Sequence, residues 1–185
     1  MSTATIESTG LTQGTWNLDS SHSTVGFSVR HAGISKVRGT FSEMEGALTL
    51  GETLADTTVT ATIQAASFNS GDANRDAHVR GADFFDVEVF PTLTFTSTSV
   101  SGDDEDFALN GELTIRGITH PVTFKGEFHG VAVDAFGATR AGFEAKTVIS
   151  RKEFGLTWNA ALEAGGVLVS DKVTIILDVA FVQAA

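Results

Sequence analysis

Alternation of apolar and polar residues runs through most of this chain, and a period of two commits a segment to a β-strand with one dry face. Over residues 58–65 the apolar positions are Val59, Ala61, Ile63 and Ala65, with Thr or Gln between them. Phe107, Leu109, Leu113 and Ile115 alternate with Asn110, Glu112, Thr114 and Arg116. Val122, Phe124 and Phe128 alternate with Thr123, Lys125, Glu127 and His129, and Ala141, Phe143, Ala145 and Ile149 share one phase further on. The last such run carries Val173, Ile175, Leu177, Val179 and Phe181. Weaker runs cover 25–29, 37–41, 44–50 and 93–99, and Gly, Asp, Ser or Pro punctuate the gaps. Roughly eight or nine short, evenly spaced strands with one wet face predict an antiparallel sandwich or barrel.

One segment breaks the period. Residues 73–80 are helix-forming, Asp72 stands where an N-cap belongs and Gly81 where a helix stops. Phe84 and Phe85 follow between Asp83 and Asp86, so a short helix and two adjacent rings read as a lid or plug inserted between strands. A second helical turn is expected near 159–164, ahead of Gly165-Gly166. There is no internal repeat or composition shift after residue 14, which makes 15–185 one domain behind a flexible tail of residues 1–14. That tail is polar, with neither a basic start nor an apolar run, so it is unlike a secretory signal. No window has the roughly 18 apolar residues a membrane span needs. The expected location is therefore cytoplasmic.

Two compositional facts bear on function. The chain has 14 Phe and no Tyr, and a ring without a polar handle suits an interior with no water in it. Its formal charge is −11, which repels phosphate backbones and anionic bilayers; nucleic acid is excluded as a partner and membrane contact should be transient at most. With no Cys, thiolate chemistry and Cys-based metal sites are absent. Small residues (Gly46, Ala61, Ala65, Gly111, Gly126, Ala141, Ala145) fall on the apolar phase at mid-strand. In a small barrel they either leave a lumen open for a ligand or let strands bend while Phe rings fill the space. Periodicity alone leaves both accounts standing and favours the filled core.

No constellation of catalytic residues is visible. His22, His31, His78, His120 and His129 show no metal-binding spacing, and no metal is expected. Asp19, Ser20, Ser21 and His22 contain the residue types of a hydrolase but sit together before a strand, where a turn is the better account. No G-x-S-x-G elbow occurs. Arg30 with His31, Arg75 with His78, and Arg151 with Lys152 are cationic spots that either meet a ligand's polar head or pair with nearby carboxylates.

The ordered motifs Trp16-Asn17-Leu18-Asp19, His22-Ser23, Val25-Gly26-Phe27-Ser28-Val29, Val37-Arg38-Gly39-Thr40-Phe41, Asn74-Arg75-Asp76-Ala77-His78-Val79-Arg80, Asp83-Phe84-Phe85-Asp86 and Phe90-Pro91 resemble the YceI family of bacterial polyisoprenoid-binding, lipocalin-like proteins. Leu113-Thr114-Ile115-Arg116-Gly117, Ser150-Arg151, Phe154-Gly155-Leu156 and Val169 with Asp171 continue the likeness, which extends from Trp16 to Val182. Many members carry a signal peptide, which residues 1–14 do not resemble. The resemblance implies an all-β fold, an extended eight-stranded antiparallel β-barrel of lipocalin type with one or two short helices, and a homodimer. With no catalytic constellation in the chain, neither enzyme activity nor a cofactor is expected. The resemblance also implies an isoprenoid ligand (a quinone tail or polyprenyl phosphate) in the lumen of a carrier, store or sensor. On that reading Phe27, Ile63, Phe95, Leu113, Phe124 and Phe143 line the lumen, and Phe84, Phe85 and Trp158 border one end. His31, Arg75 and His78 are the candidates for a ligand head group. The competing readings are a stress-response or partner-binding module using the barrel as a scaffold, and an enzyme on a lipid-like substrate.

Overall fold

The structure is a computed structural model that describes residues 9–163 and 165–185. Among the described residues eleven strands form a single antiparallel sheet: β1 (Gly14–Leu18), β2 (Thr24–His31), β3 (Ser35–Phe41), β4 (Met44–Leu50), β5 (Thr58–Gln64), β6 (Phe68–Asn69), β7 (Thr92–Gly102), β8 (Asp106–Ile115), β9 (Ile118–Val133), β10 (Thr139–Ser150) and β11 (Val169–Gln183). They make eight staves, because β1 with β2, β3 with β4, and β5 with β6 are each one strand broken by a kink. The pairings show this. β11 pairs with β1 through Leu18↔Phe181 and with β2 through Val25↔Leu177. Likewise β4 pairs with β1 and β5, whereas β3 pairs with β2 and β6. The β1–β11 ladder closes the circle, so the barrel has eight staves in a plain up-and-down order.

Every run of alternation in the sequence is a strand, but β1 and β6 carry too few alternating residues to stand out. The three kinks, at 19–23, 42–43 and 65–67, lie side by side: the Ser42 amide donates to Ser67 and the Gln64 amide to Glu43. Kinked staves stay hydrogen-bonded only if their neighbours bend at the same level.

The β8–β9 hairpin turns on Arg116 and Gly117, both with positive φ (51° and 72°), the type I′ geometry that matches the twist of the flanking strands. Arg116 accepts this uncommon conformation while its guanidinium donates to the carbonyls of Gly155 and Ala82, tying the turn to two mouth segments.

The interrupting segment is α1 (Ala73–Arg80), capped by the Asp72 carboxylate on the Arg75 amide at 2.9 Å. Gly81 ends it with φ −78°, so the stop needs no left-handed residue there. Of the helical turn expected near 159–164, the described residues 159–163 form none. Instead Arg151–Phe154 make a 3-10 turn, and Ala161 and Val167 form an isolated bridge. The backbone groups of this stretch are used otherwise: the Ala160 carbonyl accepts the Leu168 amide, and the Asn159 side chain accepts from the amides of Ala160 and Val169.

Residues Thr9 to Gln13 end the segment assigned to the tail, and they lie against the barrel's lower end. Leu11 is buried with Trp16, Leu48, Leu50, Ala141 and Phe181, and the Trp16 indole donates to the Thr12 carbonyl at 3.0 Å. The remainder of that segment, 1–8, lies outside the described residues.

Of the two accounts of the mid-strand glycines, the structure fits the one in which they accommodate rings. A Cβ on Gly39 would come within 2.5 Å of the Phe27 ring, and one on Gly126 within 2.6 Å of Phe107. On Gly111 it would strike Phe95. Each ring lies across the glycine of the adjacent strand, so these positions give aromatic side chains room to lie flat against the wall.

Candidate ligand cavity

Inside the staves lies a cavity of about 620 Å³, within the range of small-molecule sites and bounded almost wholly by apolar side chains. It exists because rings and aliphatic side chains from eight staves stop short of one another at mid-height, and Ala61 and Ala145 add little to the filling. A dry apolar void of this kind admits hydrocarbon in preference to water.

All twelve residues singled out in the sequence border this cavity. Phe95 and Phe124 meet edge to face at 5.5 Å in its middle, close to Ile63 and Leu113. Phe143 stands lower, within 5.9 Å of Phe107 and Phe181 and 5.2 Å of Phe128. Phe27 stacks on Phe68 at 5.2 Å toward the mouth. Phe85 joins that cluster against Phe41 and Phe68, held by its backbone N–H on the Val79 carbonyl. The predicted plug is therefore packed into the wall. Phe84, beside it, instead meets His78 and Trp158, which are 4.6 Å apart, to frame the opening.

Phe41, Phe68, Phe107, Phe128 and Phe181 also line the cavity and were not singled out. Four of them sit on apolar phases that the alternation displays. Phe68 follows the 3-10 kink at Ala65–Ser67, which hides its phase.

The head-group candidates differ in how free they are. Among the described residues, Arg30 and His31 have no side-chain hydrogen bond or ion pair, and both border the mouth. The Arg75 guanidinium donates to the Ser70 hydroxyl and carbonyl, and His78 Nε2 lies 2.8 Å from Asp83. Asp76 is buried and accepts from Ser70, turned away from His78. Arg151 also borders the cavity, and its guanidinium makes no ion pair among the described residues. It is 3% exposed and donates to the carbonyls of Leu156, Trp158, Val169 and Ser170, holding the segment that carries Trp158. Burial pushes its guanidinium pKa down, opposed by the charge of Asp171.

Asp19, Ser21 and His22 do approach one another, but not as a hydrolytic triad. The Ser21 hydroxyl donates to Asp19 at 2.7 Å, and the same His22 Nδ1 faces both the serine and the carboxylate. A general base needs separate nitrogens for its two partners. The group is a cap on the kink between β1 and β2, tied to β10 by Arg140, which also binds Asp134 at 2.6 Å. The Ser21 hydroxyl, then Arg140 and His22, hold the Asp19 carboxyl well below the usual carboxylate range. A depressed folded pKa stabilises the fold above the unfolded value of about 3.9 and ceases to do so as pH falls through the folded value. Asp19→Asn is thus expected to flatten the fall of the unfolding midpoint below about pH 4 relative to wild type. Identical acid limbs in thermal melts would show that the cap adds nothing.

Glu127, His129 and Glu144 place donor atoms within 4.8 Å of one another on the outer face, all exposed, with His129 and Glu144 paired at 3.2 Å. Among the described residues no helix is long and apolar enough to cross a membrane.

Comparison with known proteins accords with this geometry. Residues 16–181 match the YceI-like domain. The chain is 40% identical over 136 residues to Protein YceI of Escherichia coli, covering 73% of this chain and 71% of that one. The YceI protein of Campylobacter jejuni superposes with a TM-score of 0.72 at 26% identity, covering 84% of this chain and 90% of that chain. A polyisoprenoid binding domain from Saccharophagus degradans has the same fold, with a TM-score of 0.69 at 14% identity and 91% and 98% of the two chains covered.

Proposed function

The chain belongs to the YceI-like domain family, and on that premise we propose that its barrel binds a long isoprenoid chain in the lumen as a carrier, store or sensor. The observation that carries this reading is the continuous apolar cavity of about 620 Å³ running behind a ring-framed mouth. A scaffold that merely presents its outer surface has no use for such a void, since unfilled volume costs stability. The likeness to a polyisoprenoid binding domain supports the ligand class.

Affinity in such a site comes from hydrocarbon. Each methylene moved out of water contributes about 0.8 kcal/mol, so shortening the tail by one methylene costs up to about fourfold in binding. The polar head stays at the mouth, near His31, Arg75 and His78, where Arg30 and His31 have free donors. Phe84 and Trp158 close over the chain behind it. Nothing in this scheme requires bond making, and no residue is assigned a catalytic role.

Native mass spectrometry of the purified protein, followed by organic extraction, is expected to release a prenyl lipid at one per barrel. The empty protein should gain the corresponding mass when offered a long-chain ubiquinone. Assembly as a homodimer is part of the same proposal, and the native ion reads it directly. A barrel that comes off empty and gains no mass with ubiquinone or a polyprenyl phosphate would sink the lumen reading.

A further inference from the structure

The charge of −11 is unevenly distributed. Residues 20–42 contain no Asp or Glu, while Arg30, Lys36 and Arg38 place three positive charges there. These residues form the β2–β3 hairpin, one wall of the cavity mouth. Arg30 stands directly opposite Lys36, and Arg38 opposite Ser28, so the three cations share one face. Like charges placed opposite one another destabilise a ladder. All three side chains are exposed, and none has an ion-pair partner among the described residues.

The acids of the neighbouring strand do not relieve this. Asp171 is held by the Ser150 hydroxyl and the Lys152 amide, and Asp178 pairs with Thr24 at the far end of β2. At the tip, between the cations, Ile34 is 86% exposed. Val167 is 52% exposed next to Leu168, whose carbonyl accepts the Ala32 amide, so a second apolar side chain flanks the same turn. The opposite end of the barrel has the reverse character, with Asp103, Asp104, Glu105 and Asp106 in and beside the β7–β8 turn.

We propose that the tip of the β2–β3 hairpin docks the barrel, mouth first, onto an anionic lipid surface. Ile34 enters the boundary of the acyl chains, and Arg30, Lys36 and Arg38 meet lipid phosphates. An apolar anchor ringed by cations is the pattern that reads an anionic interface. The acidic far end is repelled from that surface, so the field of the whole chain orients the docking instead of preventing it. A ligand leaving the bilayer would then cross no water to reach Phe84 and Trp158. The proposal takes its purpose from the lumen reading but not its geometry.

Flotation with vesicles of phosphatidylcholine alone, or mixed with phosphatidylglycerol, tests it. Wild type is expected to float with the anionic vesicles only, and to be released by high salt. Each cation near such a surface is worth roughly fivefold in partitioning, so the triple variant Arg30→Gln, Lys36→Gln, Arg38→Gln should bind about a hundredfold more weakly. Ile34→Ser should weaken it severalfold, and the charge-keeping variant Arg30→Lys, Lys36→Arg, Arg38→Lys should bind as wild type does. Undiminished flotation of the glutamine variant, or equal flotation on neutral vesicles, overturns the proposal, and so does absence of wild-type flotation. Ubiquinone uptake from detergent micelles separates the two readings. The double variant Lys36→Gln, Arg38→Gln, which leaves Arg30 at the mouth, supports docking if it loads normally but floats more weakly, whereas wild type that floats but never loads leaves docking intact and removes the lumen reading.

Discussion

Arg151→Met is expected to lower the unfolding midpoint by roughly 10 °C, the largest stability effect of any single substitution considered for this chain. Methionine keeps an apolar stem of similar reach, so what is lost is the guanidinium. Its donors serve four carbonyls, those of Leu156, Trp158, Val169 and Ser170. Hydrogen bonds from a charged donor are worth about 1.5–3 kcal/mol each, but water will reach some of the freed carbonyls. A net cost of about 3–5 kcal/mol follows, and a chain of this length shifts by about 2–4 °C per kcal/mol. Lysine restores a charge but not the planar fork, so Arg151→Lys should recover only part of the loss. Hydrogen exchange should also rise over 156–169, where Trp158 sits. A melt unchanged from wild type would show that the carbonyls do not depend on Arg151.

The second large effect concerns the lumen. Ala61→Phe is expected to abolish ubiquinone uptake while leaving the melting temperature close to wild type. Ala61 borders the cavity and pairs with Phe95, so a ring there projects into apolar space. Filling a void costs little so long as the ring meets no wall. Ala61→Leu should reduce uptake by less, a graded response that a fold defect would not give. Gly126 is unsuitable for the same purpose, because even a methyl there meets the Glu144 carbonyl and the Phe107 ring. Full uptake by a folded Ala61→Phe protein would place the ligand elsewhere.

Much of this architecture is legible in the chain because a strand's period is local. Val173 to Phe181 announce β11 without reference to any partner, and Asp72 announces its helix through one carboxylate. What is not local is harder to read. β6 is two residues long and exists through its pairing with Phe41 and Thr40. The absence of a helix at 159–163 goes with bonds from Asn159 and Ala160 to Val169 and Leu168, eight to ten residues on. Twelve residues drawn from periodicity and resemblance border one cavity, whereas Phe68 escaped because a 3-10 turn breaks its phase. The charge reading shows the same limit. A net value of −11 says nothing of where the positive residues stand, and the hairpin gathers three of them on one face.

The rings that lie across glycines have a bearing on descent. Phe27 and Gly39, or Phe107 and Gly126, occupy one shared volume divided between two strands. The glycine is the fixed member, since a side chain there meets not only the ring but a backbone carbonyl, that of Asn69 for Gly39 and of Glu144 for Gly126. Homologues with a wider or narrower bore should therefore keep the glycine and differ at the ring, so that the calibre of the tunnel is inherited through one member of each couple.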